Sequence, residues 1–273
     1  MIESLQQAAN YIANADAILI GAGAGIGVDS GLPDFRGNEG FWNAYPPFRK
    51  LGLSFSDLAD PIWFHRNPHQ AWGFYGHRLN LYRSTIPHLG FSIMRRWSAN
   101  LFAFTSNVDG QFQKAGFDEK QIMECHGSIH HLQCVEPCCD EIWAAEGVEV
   151  DVDEETFLAK DPLPKCRYCE AIARPNILMF GDAGWLTGRT SDQTDRFSRW
   201  LGHIGDRSLV SIELGAGTAI PSVRMEMEDQ TRGRRGVLIR INPRESECED
   251  GISIATGALE AIEKLDGLIE SPS

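Results

Sequence analysis

The sequence has no apolar run approaching the roughly 18 residues needed to cross a bilayer, so no helical membrane span is expected in its 273 residues. Positive charge is scarce: 25 Lys+Arg stand against 38 Asp+Glu, a net of −13. A surface that acidic repels phosphate backbones, which sets non-specific nucleic-acid binding aside. An even set of cysteines is missing as well, and seven in so long a chain argue against a disulfide scaffold. The opening stretch MIESLQQAANYIANAD has no basic leading region and carries Glu3 and Asp16, so no signal peptide is expected and a cytoplasmic location is. Internal repeats and low-complexity tracts are absent too. What is present, 42% hydrophobic and 23% charged residues, suits a globular chain that buries a substantial core.

Leu5, Ala8, Ala9 and Ile12 recur at helical spacing, which predicts an amphipathic helix over residues 3–14. Short runs apolar on both faces follow: Ala17 to Ile20, Leu101 to Phe104, Ile177 to Phe180, Leu209 to Leu214 and Val237 to Ile241. Each ends at a polar residue or a glycine. Alternating with helical stretches such as 192–203 and 257–269, they predict an α/β fold with a parallel sheet covered on both faces. Ligands of such sheets sit outside the carboxyl ends of the strands. Residues 38–90, rich in aromatics, Pro and His, read as a helical insertion. Residues 127–173 hold five of the seven cysteines and an acidic patch from Glu146 to Glu155, and read as a second insertion; together the two would form a smaller lobe.

Three clusters fall on the expected ligand edge. The first is Gly21-Ala22-Gly23-Ala24-Gly25-Ile26-Gly27, a glycine-rich turn that lets backbone approach a pyrophosphate. It is not the dehydrogenase fingerprint, because Ile26 and Val28 stand where that pattern fails. Beyond it, Pro33-Asp34-Phe35-Arg36-Gly37 offers an acid, an aromatic ring to cover a nucleotide and a guanidinium to reach phosphate. The second cluster is Thr105-Ser106-Asn107-Val108-Asp109-Gly110, whose Asn and Asp could also serve only as a helix cap and turn. The third is Glu124-Cys125-His126-Gly127-Ser128, where a lone histidine could equally be a hydrogen-bonded bystander.

In order, these clusters are followed by cysteines, by Ala173-Arg174-Pro175-Asn176 with Phe180-Gly181, by Gly215-Ala216-Gly217-Thr218 and by Ile241-Asn242. That succession resembles the sirtuin family from about Ile18 to Asn242. The resemblance implies a Rossmann-like large domain with a smaller helical and zinc-binding lobe, and a single catalytic core over residues 1–273. It also implies NAD-dependent removal of acyl groups from protein lysines, with an acylated protein or peptide as partner. In that chemistry the acyl oxygen attacks the ribose carbon that bears nicotinamide, and the acyl group leaves on ADP-ribose. By position His126 matches the base on a ribose hydroxyl, and Asn107 and Asp109 match the residues that hold the ribose and the nicotinamide amide. Gly23, Ala24, Gly25, Ile26, Asp34, Phe35, Arg36, Ser106 and Val108 match cofactor contacts. Gly217, Thr218 and Asn242 match the phosphate and adenosine side, and Phe180 and Gly181 the peptide side.

The same resemblance implies a structural zinc. Cys134 lies eight residues after His126, as sirtuins place their first ligand, and Cys166-Arg-Tyr-Cys169 forms a CxxC knuckle. The remaining ligand is Cys138, with Cys139 as the alternative. Four thiolates suit tetrahedral zinc with no open position for substrate. Tyr75-Gly-His-Arg78 matches the Tyr-x-x-Arg of desuccinylating sirtuins, in which a hydroxyl and a guanidinium one turn apart bind an acyl carboxylate. A surface Arg beside a core Tyr is the plainer reading. Several positions depart from the family: Gly27, Ser106 and Ala219 lack side-chain hydrogen bonds that relatives make, and Asp182-Ala183-Gly184-Trp185 alters the peptide edge. The competing reading is therefore a sirtuin-fold ADP-ribosyltransferase or NAD hydrolase.

Overall fold

The computed structural model describes residues 1–34, 37–50, 52–232 and 235–270. Phe35 and Arg36 lie outside the described residues.

Among the described residues, nine strands form two sheets: β1 (Ala17–Ala22), β2 (Leu101–Thr105), β3 (Ile122–Glu124), β4 (Gly127–Cys134), β5 (Trp143–Ala144), β6 (Ala173–Ile177), β7 (Leu209–Leu214), β8 (Gly236–Ile241) and β9 (Gly251–Ile254). Six of them make one parallel sheet in the order β3-β2-β1-β7-β8-β9. The chain winds outward from β1 to β3 and then returns to start again beside β1 at β7. Between β1 and β7 the strand order reverses, and a crevice opens there at the carboxyl edge.

Alternation along the strands divides the core. Ile18 and Ile20 of β1 pack with the helices Ile2–Ala13, Leu89–Trp97 and Ala258–Glu270. Ala17 and Leu19 face the other way, toward the helices Gly188–Ile204 and Ser222–Thr231. The first helix inserts Leu5, Ala8, Ala9 and Ile12; burying each Leu or Ile contributes roughly 1.5–3 kcal/mol. One strand of the second face carries an acid. Glu213 of β7 is fully buried, and Arg240 of β8 grips it through Nε at 2.7 Å and Nη2 at 3.0 Å.

A separate apolar cluster joins the helix-rich stretch to the cysteine-rich one: Phe41, Phe48, Trp72 and Phe74 pack in the same core as Leu132, Cys134 and Cys166. The smaller sheet, β5-β4-β6, belongs to it. The long helix Pro68–Ser84 spans this core and brings both Tyr75 and Arg78 to its buried face.

One strand expectation is corrected. Ile177 to Phe180 is not a member of the parallel sheet. The strand is β6, which starts four residues earlier and ends at Ile177, and it pairs antiparallel with β4. The apolar run misleads because Leu178 and Phe180 stay exposed, at 40% and 44%, rather than packing in a sheet core. β3 and β9 are too short or too mixed for apolar runs to reveal them. Among the described residues no helix is long and apolar enough to cross a membrane.

Candidate active site

The crevice between β1 and β7 opens into a cavity of about 540 Å³, within the range of small-molecule sites. Its floor is two glycine turns pressed backbone to backbone. A Cβ on Gly23 would lie 2.6 Å from the Ala216 Cα, and one on Gly215 2.5 Å from Gly25, so both positions exclude side chains. Gly215 also takes a φ of +60°, which favours glycine. Amides stitch the turns together: Gly23 N–H donates to Leu214 O and Gly25 N–H to Gly215 O, each at 3.0 Å. This is a cradle that brings bare backbone against a ligand, as a pyrophosphate requires.

The carboxyl end of β2 supplies the next wall. Thr105 Oγ1 donates to Ala22 O at 2.9 Å and accepts from the Asn107 amide at 3.0 Å. Asn107 Nδ2 reaches Gly23 O at 3.0 Å, so its side chain is tied to the first turn. Asp109 is buried, and Oδ1 accepts from the Gln111 amide at 2.9 Å. Burial raises its carboxyl to about 6; the Glu124 charge adds to the rise, while the Gln111 bond and Arg78 oppose it.

His126 follows β3. Gly127 fixes its placement, with φ at +78° and a would-be Cβ 2.1 Å from Asn176 O. The His126 carbonyl accepts from Leu178 N–H at 3.0 Å, and Nε2 lies 3.3 Å from Ser222 Oγ. Burial lowers the imidazole below its ordinary value, against a backbone hydrogen bond with Ser106 that raises it. The ring is therefore neutral, and a proton acceptor, at physiological pH.

The helical side closes the far end. Tyr75 and Arg78 both line the cavity with Met179 and Phe180. The Tyr75 hydroxyl is buried and has no hydrogen-bond partner among the described residues. The Arg78 guanidinium lies within 6 Å of the rings of Phe55, Phe74, Tyr75 and Tyr82, so it is stacked among aromatic faces. Its Nε donates to the Tyr82 hydroxyl at 3.0 Å.

The structure thus brings Gly23, Ala24, Asp34, Ser106, Asn107, Val108, Asp109, His126, Gly217, Tyr75, Arg78, Phe180 and Gly181 to one cavity. Gly25 and Ile26 belong to the first turn without lining the cavity; Ile26 is buried and Gly25 half-buried. Thr218 does not line it; Oγ1 donates to Glu245 at 2.8 Å. Asn242 is fully buried below, bonding Ala216 O through Nδ2 at 3.0 Å and accepting from the Arg244 and Glu245 amides. Sequence reasoning passed over Tyr82 and Leu32, although a tyrosine one turn beyond Arg78 was a visible signal. Leu32 explains one departure, since a side chain at Gly27 would press within 3.2 Å of it. Asp182 is another: its side chain is out of solvent, paired with Arg174 at 2.6 Å and accepting from the Met179 amide at 3.2 Å.

The cysteines form a separate centre. The sulfurs of Cys134, Cys138, Cys166 and Cys169 lie within 4.8 Å of one another. Cys134 and Cys169 are 3.6 Å apart, Cys138 and Cys166 3.7 Å. A tetrahedron with Zn–S bonds near 2.3 Å has edges of about 3.8 Å, so the set fits zinc. Cys138 joins the cluster, and Cys139 stands outside it, its sulfur 3.8 Å from that of Cys138.

The sequence profile of the Sir2 family matches residues 23–194. The chain is 31% identical over 228 residues, 82% of each chain, to an NAD-dependent protein deacylase of Aquifex aeolicus. It is 28% identical to NAD-dependent protein deacylase 1 of Archaeoglobus fulgidus, over 86% of this chain and 84% of the relative. Its fold superposes on that of a Sir2 homologue mutant complexed with ADP-ribose, with TM-score 0.71 and 26% identity over 99% of this chain and 97% of the other.

Proposed function

The chain belongs to the Sir2 family, and from that premise we propose that it is an NAD-dependent protein-lysine deacylase releasing nicotinamide and O-acyl-ADP-ribose. The observation that carries the reading is the convergence of the glycine cradle, Asn107, Asp109 and a neutral His126 on one cavity. Bound NAD would supply a ribose carbon made electrophilic by its link to nicotinamide, the leaving group.

The residues divide the remaining work. The Gly23 and Gly215 turns admit the pyrophosphate, and Gly217 borders the adenosine side. Asn107 and Asp109 orient the ribose and the nicotinamide amide. His126 accepts the proton of a ribose hydroxyl, since its lowered basicity keeps the ring unprotonated until that hydroxyl is presented. Zinc held by Cys134, Cys138, Cys166 and Cys169 acts on folding alone, because all four positions are protein ligands. The exposed Leu178 and Phe180 offer an apolar edge to the acylated peptide.

Tyr75 and Arg78 support a finer reading, in which an acidic acyl group such as succinyl is accepted. A guanidinium and an unpartnered buried hydroxyl at the inner wall form a carboxylate receptor. A net charge of −13 favours lysine-rich protein targets. Cysteines held as thiolate ligands suit a reducing cytoplasm. Nicotinamide release that requires an acylated lysine peptide tests the assignment.

A further inference from the structure

His88 lies outside the cavity, yet both of its ring nitrogens are committed. The side chain is buried, 8% exposed. Nδ1 sits 3.1 Å from the amide of Gly90 at the start of the helix Leu89–Trp97. An amide N–H can only donate, so Nδ1 carries no proton and the hydrogen resides on Nε2. Nε2 then donates to the Ile26 carbonyl at 3.0 Å. The His88 backbone N–H also donates to Ser30 Oγ at 2.9 Å. One residue therefore caps a helix with one ring atom and grips the turn Ala24–Ser30 with the other. Gly90 makes room for the ring, since a Cβ there would approach Cε1 to 2.7 Å.

Ile26 is joined to the cradle floor by short backbone links. Its N–H donates to Gly23 O at 3.2 Å, and a Cβ on Gly215 would lie 2.6 Å from the Ile26 nitrogen. Gly23, Ala24 and Gly215 line the cavity directly. Displacement of the Ile26 carbonyl must therefore move the surface a ligand touches.

We propose that neutral His88 is a positioning residue for the dinucleotide, holding the Gly23–Ile26 turn at the height that cofactor binding requires. The inference rests on the cavity being an NAD site. Protonation would set an Nδ1–H against the Gly90 N–H and break the clamp. Burial lowers the basicity of the ring, while the Ile26 bond, Asp29 on the same turn and Glu263 on the C-terminal helix raise it. Because the folded value is depressed, the clamp is intact above the ordinary histidine range and lost as pH falls through the folded value.

Substitution can separate the two nitrogens. His88→Asn keeps a cap acceptor for Gly90 but cannot reach Ile26; His88→Gln extends an amide donor toward Ile26 and gives up the cap. The zinc-loaded full chain is titrated with carba-NAD, a non-cleavable analogue, and Gly25 and Ile26 amide exchange is followed without ligand. His88→Asn should weaken carba-NAD about fivefold, the loss of one hydrogen bond, and speed both amides, with a smaller fall in Tm than His88→Gln shows. His88→Gln should bind within twofold of the parent, melt lower and fail to weaken at acid pH as the parent does; the response of His126 is common to both. Affinity losses that merely follow Tm, or amides unmoved by His88→Asn, overturn the role of His88. A parent that does not bind carba-NAD overturns the cofactor reading and this inference with it.

Discussion

Arg78 donates through Nε to the Tyr82 hydroxyl at 3.0 Å, one helical turn along the same buried face. That bond orients a guanidinium stacked among four aromatic rings at the inner wall of the cavity. Replacing it by a neutral side chain of similar length isolates the charge. Arg78→Met should lower kcat/KM for succinyl-lysine peptide by about 10- to 100-fold, the worth of a charge-assisted bond, and change acetyl-lysine turnover only a few-fold. Equal losses on both substrates would refute a carboxylate-binding role.

Asp109 gives a pH-dependent stability with a defined sign. Its carboxyl is raised from 3.8 to about 6, so the folded state favours the protonated form. That advantage is present below the ordinary carboxylate range and is lost as pH rises through about 6. Two pKa units correspond to about 3 kcal/mol. Asp109→Asn escapes the loss. The stability difference between variant and parent in denaturant titrations should thus grow from pH 4 to pH 7 and then level off. A difference independent of pH would contradict the assignment.

The cysteine cluster makes a stoichiometric prediction. Cys139→Ser should retain one zinc per chain by metal analysis and melt like the parent, whereas Cys138→Ser should lose metal and stability together. Retention of zinc by the second variant and loss by the first would reverse the choice between the adjacent thiols.

A buried ion pair sets the fourth expectation. Arg240→Met would leave Glu213 buried beside Glu228, which Arg240 also pairs, with Arg224 as its remaining cation among the described residues, at 3.9 Å. Stranding such a charge costs about 3–5 kcal/mol. Adding Glu213→Gln should restore most of the loss in a denaturant titration, and an additive double variant would argue against coupling.

How much of this could be read from the sequence depended on what each signal encodes. β1, β2, β7 and β8 announce themselves because strands covered on both faces are continuously apolar. Ile177 to Phe180 has the same composition but borders a groove, and composition does not say what covers a strand. Likewise Glu213 sits inside an apolar run, and only its partner Arg240, 27 residues later, makes its burial intelligible. The glycine turns, His126-Gly127 and the CxxC knuckle were legible since backbone closeness and metal ligation restrict residue type. Asn242 was legible as a motif but not as a brace beneath the floor. Tyr82 and His88 act through hydrogen bonds to distant or next-turn groups, a relation that local spacing does not display.

The central claim is that nicotinamide release is coupled to an acylated lysine and that His126 serves the acyl transfer. Mass spectrometry of products from NAD with acetyl-, succinyl- and unmodified lysine peptides tests it most directly, on the zinc-loaded parent and on His126→Ala. Coupling predicts O-acyl-ADP-ribose only with acylated peptide, and its loss by 10²- to 10⁴-fold in the variant, as for a general base. Free ADP-ribose or ADP-ribosylated peptide formed without an acyl group, or undiminished turnover in His126→Ala, would contradict it.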